Sequence, residues 1–173
     1  DNSSYVPTSL KEVIITGGTS IGDYALLNCR SITSITIPSS VTSIGELSFY
    51  GCRSLANITI PNSITSIGGE AFYNCSNLTS IELPSSVTTI EENSFNPSAI
   101  IYSYSTEPIT VNCENDIYYY SESSPTVNGQ YWHKIGDSAV IWDIYKVLFI
   151  GNPCQIAALK KYLMPFVVLN YIL

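Results

Sequence analysis

Apolar residues alternate with polar ones in short bursts along the first hundred residues, and the bursts recur. Ile32-Thr-Ser-Ile35-Thr-Ile37 is followed by Pro38, then by Val41-Thr-Ser-Ile44-Gly45, then by Phe49 and Cys52. The same positions return at Leu55, Ile58, Ile60, Pro61, Ile64, Ile67, Gly68, Phe72 and Cys75. They return again at Leu78, Ile81, Leu83, Pro84, Val87, Ile90 and Phe95. Cys29, Cys52 and Cys75 are spaced 23 residues apart and mark the period. An earlier unit, Leu10, Val13, Ile15, Ile21, Gly22, Leu26 and Cys29, is one residue short because Gly17-Gly18 replaces the Pro-Ser-Ser segment. Self-similarity at a fixed period of this size signals stacked supersecondary units.

The spacing within one unit predicts its elements. Ile-x-Ile has period two, which suits a strand with one buried face. Pro38, Pro61 and Pro84 end that strand, because proline cannot donate to the ladder. Val-Thr-x-Ile-Gly predicts a second short extended piece, and Ser/Ala-Phe-x-x-Cys is long enough for one helical or 3₁₀ turn that drops Phe and Cys inward. One unit cannot bury its own apolar edge, whereas stacked units can. The predicted core is Ile35, Ile37, Phe49, Cys52, Ile58, Ile60, Phe72, Cys75, Ile81, Leu83 and Phe95.

The unit Leu-x-x-Ile-x-Ile-Pro-x-Ser-Val-Thr-x-Ile-Gly-x-x-Ala-Phe-x-x-Cys resembles the BspA-type leucine-rich repeat over about residues 10–100. The resemblance implies an α/β-type but mostly β repeat fold, a right-handed parallel β solenoid with short helical or 3₁₀ turns. It also implies a non-catalytic module of an extracellular or cell-surface protein, engaged in adhesion and in binding host or matrix proteins. The fourth unit departs from the motif, with Glu91 in place of Gly and Asn96-Pro97-Ser98 in place of the Cys segment. The array is therefore expected to fill residues 1–100.

Residues 101–143 lose the period. Ile101-Tyr-Ser-Tyr104, Glu107-Pro-Ile-Thr-Val111, Gln130-Tyr-Trp-His-Lys134 and Ala139-Val-Ile-Trp142 read as short strands, the last two around Gly136-Asp137. The expected role is an aromatic-rich β cap over the open solenoid end. A sharper alternative is a carbohydrate-binding platform of Tyr118, Tyr120, Tyr131 and Trp132. Residues 144–173 read as a strand–turn–helix tail. Lys146–Leu163, with Pro153-Cys154-Gln-Ile-Ala, resembles a segment of the beta subunit of deazaflavin-reducing hydrogenases. One cysteine cannot hold an iron–sulfur cluster, so the segment reads as a remnant of a redox enzyme rather than a working site.

Charge and composition narrow the function. The 173 residues carry 7 Lys and Arg against 14 Asp and Glu, a net charge of −7. Such a chain repels phosphate backbones, and no nucleic-acid partner is expected. His133 is the sole histidine, which disfavours zinc sites. Five cysteines form no CxxC pair, and the 23-residue ladder of three reads as buried thiols rather than metal ligands or disulfides. No Gly-x-Ser-x-Gly elbow, Walker motif or dinucleotide glycine motif is present. Hence no catalytic residue, cofactor or metal is assigned. The column Asp23, Glu46 and Glu92, broken by Gly69, reads as a solvated acidic edge. No run reaches the roughly 18 apolar residues of a membrane span. The chain begins at Asp1, as a processed product or a fragment does.

The candidate binding face is the outward side of the Ile-x-Ile strands: Thr33, Ser34, Thr36, Asn57, Thr59, Thr79, Ser80 and Glu82. This ladder is flat, rich in hydroxyls and nearly uncharged. It suits broad contact with a protein or glycan more than a deep small-molecule pocket. The same residues also suit a merely solvated strand surface, as in a structural spacer within a longer surface protein. Asn-x-Ser/Thr sequons stand at Asn2, Asn57, Asn74 and Asn77.

Overall fold

A computed structural model describes residues 9–106, 109–111, 115–122, 129–135 and 138–144. The chain divides into two compact units, with the boundary between Ile117 and Tyr118. In the first unit each repeat becomes one turn of a mostly β parallel solenoid of about five turns. The first turn holds β1 (Glu12–Ile14) and β2 (Ser20–Ile21), and the second holds β3 (Ser34–Thr36) and β4 (Ser43–Ile44). The third contributes β5 (Ser66–Ile67), the fourth β6 (Ser80–Leu83) and β7 (Thr89–Ile90), and the fifth β8 (Ile100–Ser103) and β9 (Thr110–Val111). Two walls of parallel strands result. One wall is an unbroken sheet in the order β2-β4-β5-β7-β9; the other pairs β1 with β3 and β6 with β8.

Period-two patterning accounts for the broken wall's burial. In β3, Ile35 is buried between exposed Ser34 and Thr36, and in β6, Ile81 and Leu83 are buried while Ser80 and Glu82 are exposed. In the unbroken wall Ile21, Ile44, Ile67 and Ile90 stack in register. A hydroxyl ladder supports it: Thr42, Thr65 and Thr88 each donate Oγ1 to the carbonyl of the threonine one turn earlier, at 3.0, 3.2 and 3.3 Å.

The Ser/Ala-Phe-x-x-Cys segments are not helical; the described residues contain no helix. They are successive tight turns that form a third inter-turn ladder. Phe49 N–H donates to Ala71 O at 2.9 Å, Phe72 N–H to Ser94 O at 2.7 Å, and Gly51 N–H to Tyr73 O at 2.9 Å. Left-handed residues recur at the 23-residue period: Tyr24, Leu47, Glu70 and Asn93 have φ of 59°, 53°, 53° and 52°. Each such non-glycine residue costs roughly 1–2 kcal/mol of backbone strain, and the alternation of hands prevents helix propagation. Inter-turn bonds hold the strained residues in place, as in Leu47 N–H to Gly69 O at 2.9 Å.

Behind this ladder runs a ring stack. Phe72 lies 5.0 Å from Phe49 and 5.4 Å from Phe95, centroid to centroid, with near-parallel planes. Ile35, Ile37, Phe49, Cys52, Ile60, Phe72, Cys75, Ile81, Leu83 and Phe95 are all buried. Ile58, expected with them, is only half-buried, because its segment does not enter a strand ladder.

The solenoid also runs on past residue 100. Ile101 pairs with Ile81 and Val111 with Ile90, so the fifth turn keeps the ladder at offsets of 20 and 21 residues instead of 23. Asn96 ends the corner ladder with its side chain: Oδ1 accepts the Asn74 N–H at 2.7 Å and Nδ2 donates to Cys75 O at 3.1 Å.

The second unit contains most of β10 (Ile117–Tyr120), then β11 (Gly129–Ile135) and β12 (Ser138–Ile144). β11 runs parallel to β10 and antiparallel to β12. Trp132 is fully buried, and the Tyr120 ring meets it edge-on at 5.4 Å. The tail from residue 145, with its hydrogenase-like segment, lies outside the described residues, as does Cys113.

Candidate binding face

The broken wall carries the expected face. Thr33, Ser34, Thr36, Asn57, Thr59, Thr79, Ser80 and Glu82 are all exposed. Ser34 and Thr36 stand on β3, and Ser80 and Glu82 on β6. Asn57 and Thr59 lie between these groups in a segment, 56–60, that forms no strand. The exposed residues thus run across all three turns, while the backbone ladder beneath them is interrupted at 56–60.

Sequence chemistry explains the interruption. The second and fourth turns enter the strand with Thr33-Ser34 and Thr79-Ser80, the third with Ala56-Asn57. Ala and Asn are both poor strand residues. Thr33 also donates Oγ1 to Lys11 O at 3.1 Å, a bond Ala56 cannot copy. Between Thr33–Ile37 on one side and Asn57, Ile58, Thr59 and Pro61 on the other, a cleft of about 450 Å³ opens.

At the far end the face gains two aromatic residues from the fifth turn, beyond residue 100. Tyr102 pairs in register with Glu82, and Tyr104 donates its hydroxyl to Glu82 Oε2 at 3.2 Å. Burial pushes the Tyr102 phenol above its ordinary pKa. The alternation of Ile101-Tyr-Ser-Tyr104 was the signal for this strand; only its register with β6 was hidden.

The other chemistry-bearing groups are occupied by the scaffold. Cys29, Cys52 and Cys75 are buried free thiols. Cys75 donates to Phe49 O at 3.2 Å and Cys52 to Leu26 O at 3.4 Å, each reaching back one turn. Burial pushes both of these thiols up to about 12, with neighbouring sulfurs adding to the effect at Cys52. That is the opposite of the depressed pKa a reactive cysteine needs.

Of the acidic column, Asp23 is tied to backbone, and so is Glu91 beside it, while Glu46 and Glu92 are not buried. Asp23 Oδ1 accepts the Glu46 N–H at 2.9 Å, and Glu91 Oε2 accepts the Gly69 N–H at 3.1 Å. Among the described residues no group of three His, Cys, Asp or Glu side chains could hold a metal ion. Tyr118 and Trp132 are buried, so the four-aromatic sugar platform does not form as an exposed surface. No helix among the described residues is long and apolar enough to cross a membrane.

Comparison with known proteins agrees with the repeat geometry. No curated protein matches the chain in sequence. A leucine-rich repeat protein from Bacteroides ovatus ATCC 8483, known from a crystal structure, is similar at 35% identity and a TM-score of 0.50. The match covers 54% of this chain and 25% of that one, so the chain spans about a quarter of its length. The BspA-type leucine-rich repeat region matches in six copies over residues 1–125. The chain belongs to the BspA-type leucine-rich repeat family.

Proposed function

We propose that the chain is a non-catalytic recognition module that binds a protein partner through the outward side of the broken wall, as part of a secreted or cell-surface protein. One observation carries the reading: from the second turn to the fourth, the exposed positions of this wall are small hydrogen-bonding residues, with Glu82 the one charge among Thr33, Ser34, Thr36, Asn57, Thr59, Thr79 and Ser80, over an apolar core. Such a surface offers many donors and acceptors at low side-chain entropy cost and little charge to desolvate. Adhesion-type binding to host or matrix proteins is the expected setting; a glycan is the alternative ligand for the same hydroxyls.

The test is binding of the whole chain to immobilised extracellular-matrix proteins, compared with a Thr36→Glu, Ser80→Lys variant. Both substitutions lie at exposed positions, and the fold is expected to survive them. Loss of binding with unchanged circular dichroism supports recognition through this wall. Unchanged binding would make the array a spacer, with recognition placed elsewhere.

A further inference from the structure

We infer that the interruption of the wall at residues 56–60 is a docking site for an extended, uncharged peptide segment held by its main chain. The inference rests on the reading of this wall as a recognition surface and gives it a location and a ligand chemistry. Three observations lead to it.

The first is unspent backbone. β3 ladders with β1 and β6 with β8, and no backbone hydrogen bond joins 56–60 to either β3 or β6. Backbone N–H and C=O groups without a partner can template another strand. The second is shape. The cleft beside this segment measures about 450 Å³, within the roughly 300–1,000 Å³ of ligand-sized clefts. Its apolar side chains include Ile35 and the half-buried Ile58, and its polar ones include Thr33, Ser34, Asn57 and Thr59.

The third is the lining's chemistry: it contains no charged side chain and no aromatic ring. A charged ligand would lose hydration there without finding a counter-ion. A sugar ring would find no aromatic face to stack on. An extended peptide meets what is present. Its amides and carbonyls pair with the free backbone, and a small or β-branched side chain packs on the half-buried Ile58.

The probe is an acetylated and amidated peptide with the sequence of Ile32–Pro38, which is uncharged and carries the alternating pair Ile35 and Ile37. In the free protein the Ile58 and Thr59 amides should exchange with solvent at least tenfold faster than those of Thr65 and Gly68, which are bonded to the preceding turn. Added peptide should slow them. The double substitution Ala56→Thr, Asn57→Ser writes the Thr-Ser of the neighbouring turns into the third. It should slow the same amides without peptide and weaken peptide binding at least tenfold. A peptide N-methylated at alternate residues should also lose binding.

Slow exchange at Ile58 and Thr59 in the free protein would overturn the inference. So would absence of peptide binding, equal affinity in the double variant, equal binding of the N-methylated peptide, or a response of these amides to cellobiose but not to peptide. If the peptide fails while Thr36→Glu, Ser80→Lys still abolishes matrix-protein binding, this inference alone falls. If the peptide binds as stated while that variant changes nothing, the cleft stands and the broader reading of the wall falls.

Discussion

The same substitution at two turns of the solenoid should change stability in opposite directions. Gly22, Gly45 and Gly68 occupy one repeat position, where the chain leaves the unbroken wall. A Cβ at Gly68 would lie 2.7 Å from Glu46 N and 2.8 Å from the Gly45 carbonyl carbon, both backbone atoms of the preceding turn. Ordinary contact begins near 3.4 Å, so the turns must part by about 0.7 Å. That movement stretches the 2.8 Å bond from Gly68 N–H to Ile44 O to the edge of usefulness.

Overpacking costs about 1–3 kcal/mol and a weakened hydrogen bond roughly 0.5–1.5 kcal/mol, against a gain of about 0.4–1 kcal/mol from the stiffer unfolded chain. Gly68→Ala should therefore destabilise by about 1–3 kcal/mol. At Gly22 nothing lies within 4 Å of the added methyl. Only the unfolded-chain effect remains, and Gly22→Ala should stabilise by about 0.4–1 kcal/mol. Urea titrations followed by circular dichroism, with unchanged m, separate the two, and thermal melts should move in opposite directions. Equal shifts, or a stabilising Gly68→Ala, would refute the idea that inter-turn contact dictates this glycine.

Three further outcomes follow from the packing. Phe72→Ala removes a buried ring stacked on both neighbours and should cost about 3–5 kcal/mol; an unchanged melting temperature would place the ring outside the core. Ser48 Oγ is buried without a partner, whereas Ser94, at the same repeat position, donates to Gly68 O at 2.9 Å. Ser48→Ala should be neutral or stabilising, Ser94→Ala should lose about 1 kcal/mol, and urea midpoints report the difference. Cys52 and Cys75 hold their protons to about 12 in the folded state, above the roughly 8.5 of an unfolded thiol. The stability this carries is complete below about pH 8.5 and is lost as pH climbs toward the folded value, with a slope of up to one proton per thiol. Cys75→Ala should flatten that alkaline slope, measured as the urea midpoint between neutral and strongly basic buffer.

Much of the scaffold could be read from residue spacing because a solenoid states its rule once and repeats it. Ile35 and Ile81 enter the core because alternate residues face opposite ways, and Phe49 and Phe72 because their turn must be filled. Three features escaped that logic. Glu70 and Leu47 adopt left-handed backbone although nothing in their side chains asks for it; the ladder between turns imposes it, and the expected helical turn is lost with it. The fifth turn persists without the motif because a parallel ladder needs backbone in register, not identical side chains, as the pairing of Val111 with Ile90 shows. The break at 56–60 was written as Ala56-Asn57, but Ile58 and Ile60 preserved the strand rhythm and masked it. The chemistry of the wall was legible as hydroxyl-rich and nearly uncharged. The interruption of its backbone ladder was not, because that depends on hydrogen bonds between turns.

A stack of repeats is a one-dimensional series of joints, each holding only adjacent turns. Most such stacks fray from the ends, where a turn has one neighbour instead of two. Here the third turn is attached on both sides without the broken wall's ladder, leaving the unbroken sheet and the corner ladder as its couplings. The array therefore has a compliant link in its middle, flanked by stiffer pairs of turns. Under axial tension, or in a partially unfolded ensemble, the wall should gape there while the unbroken sheet acts as the hinge.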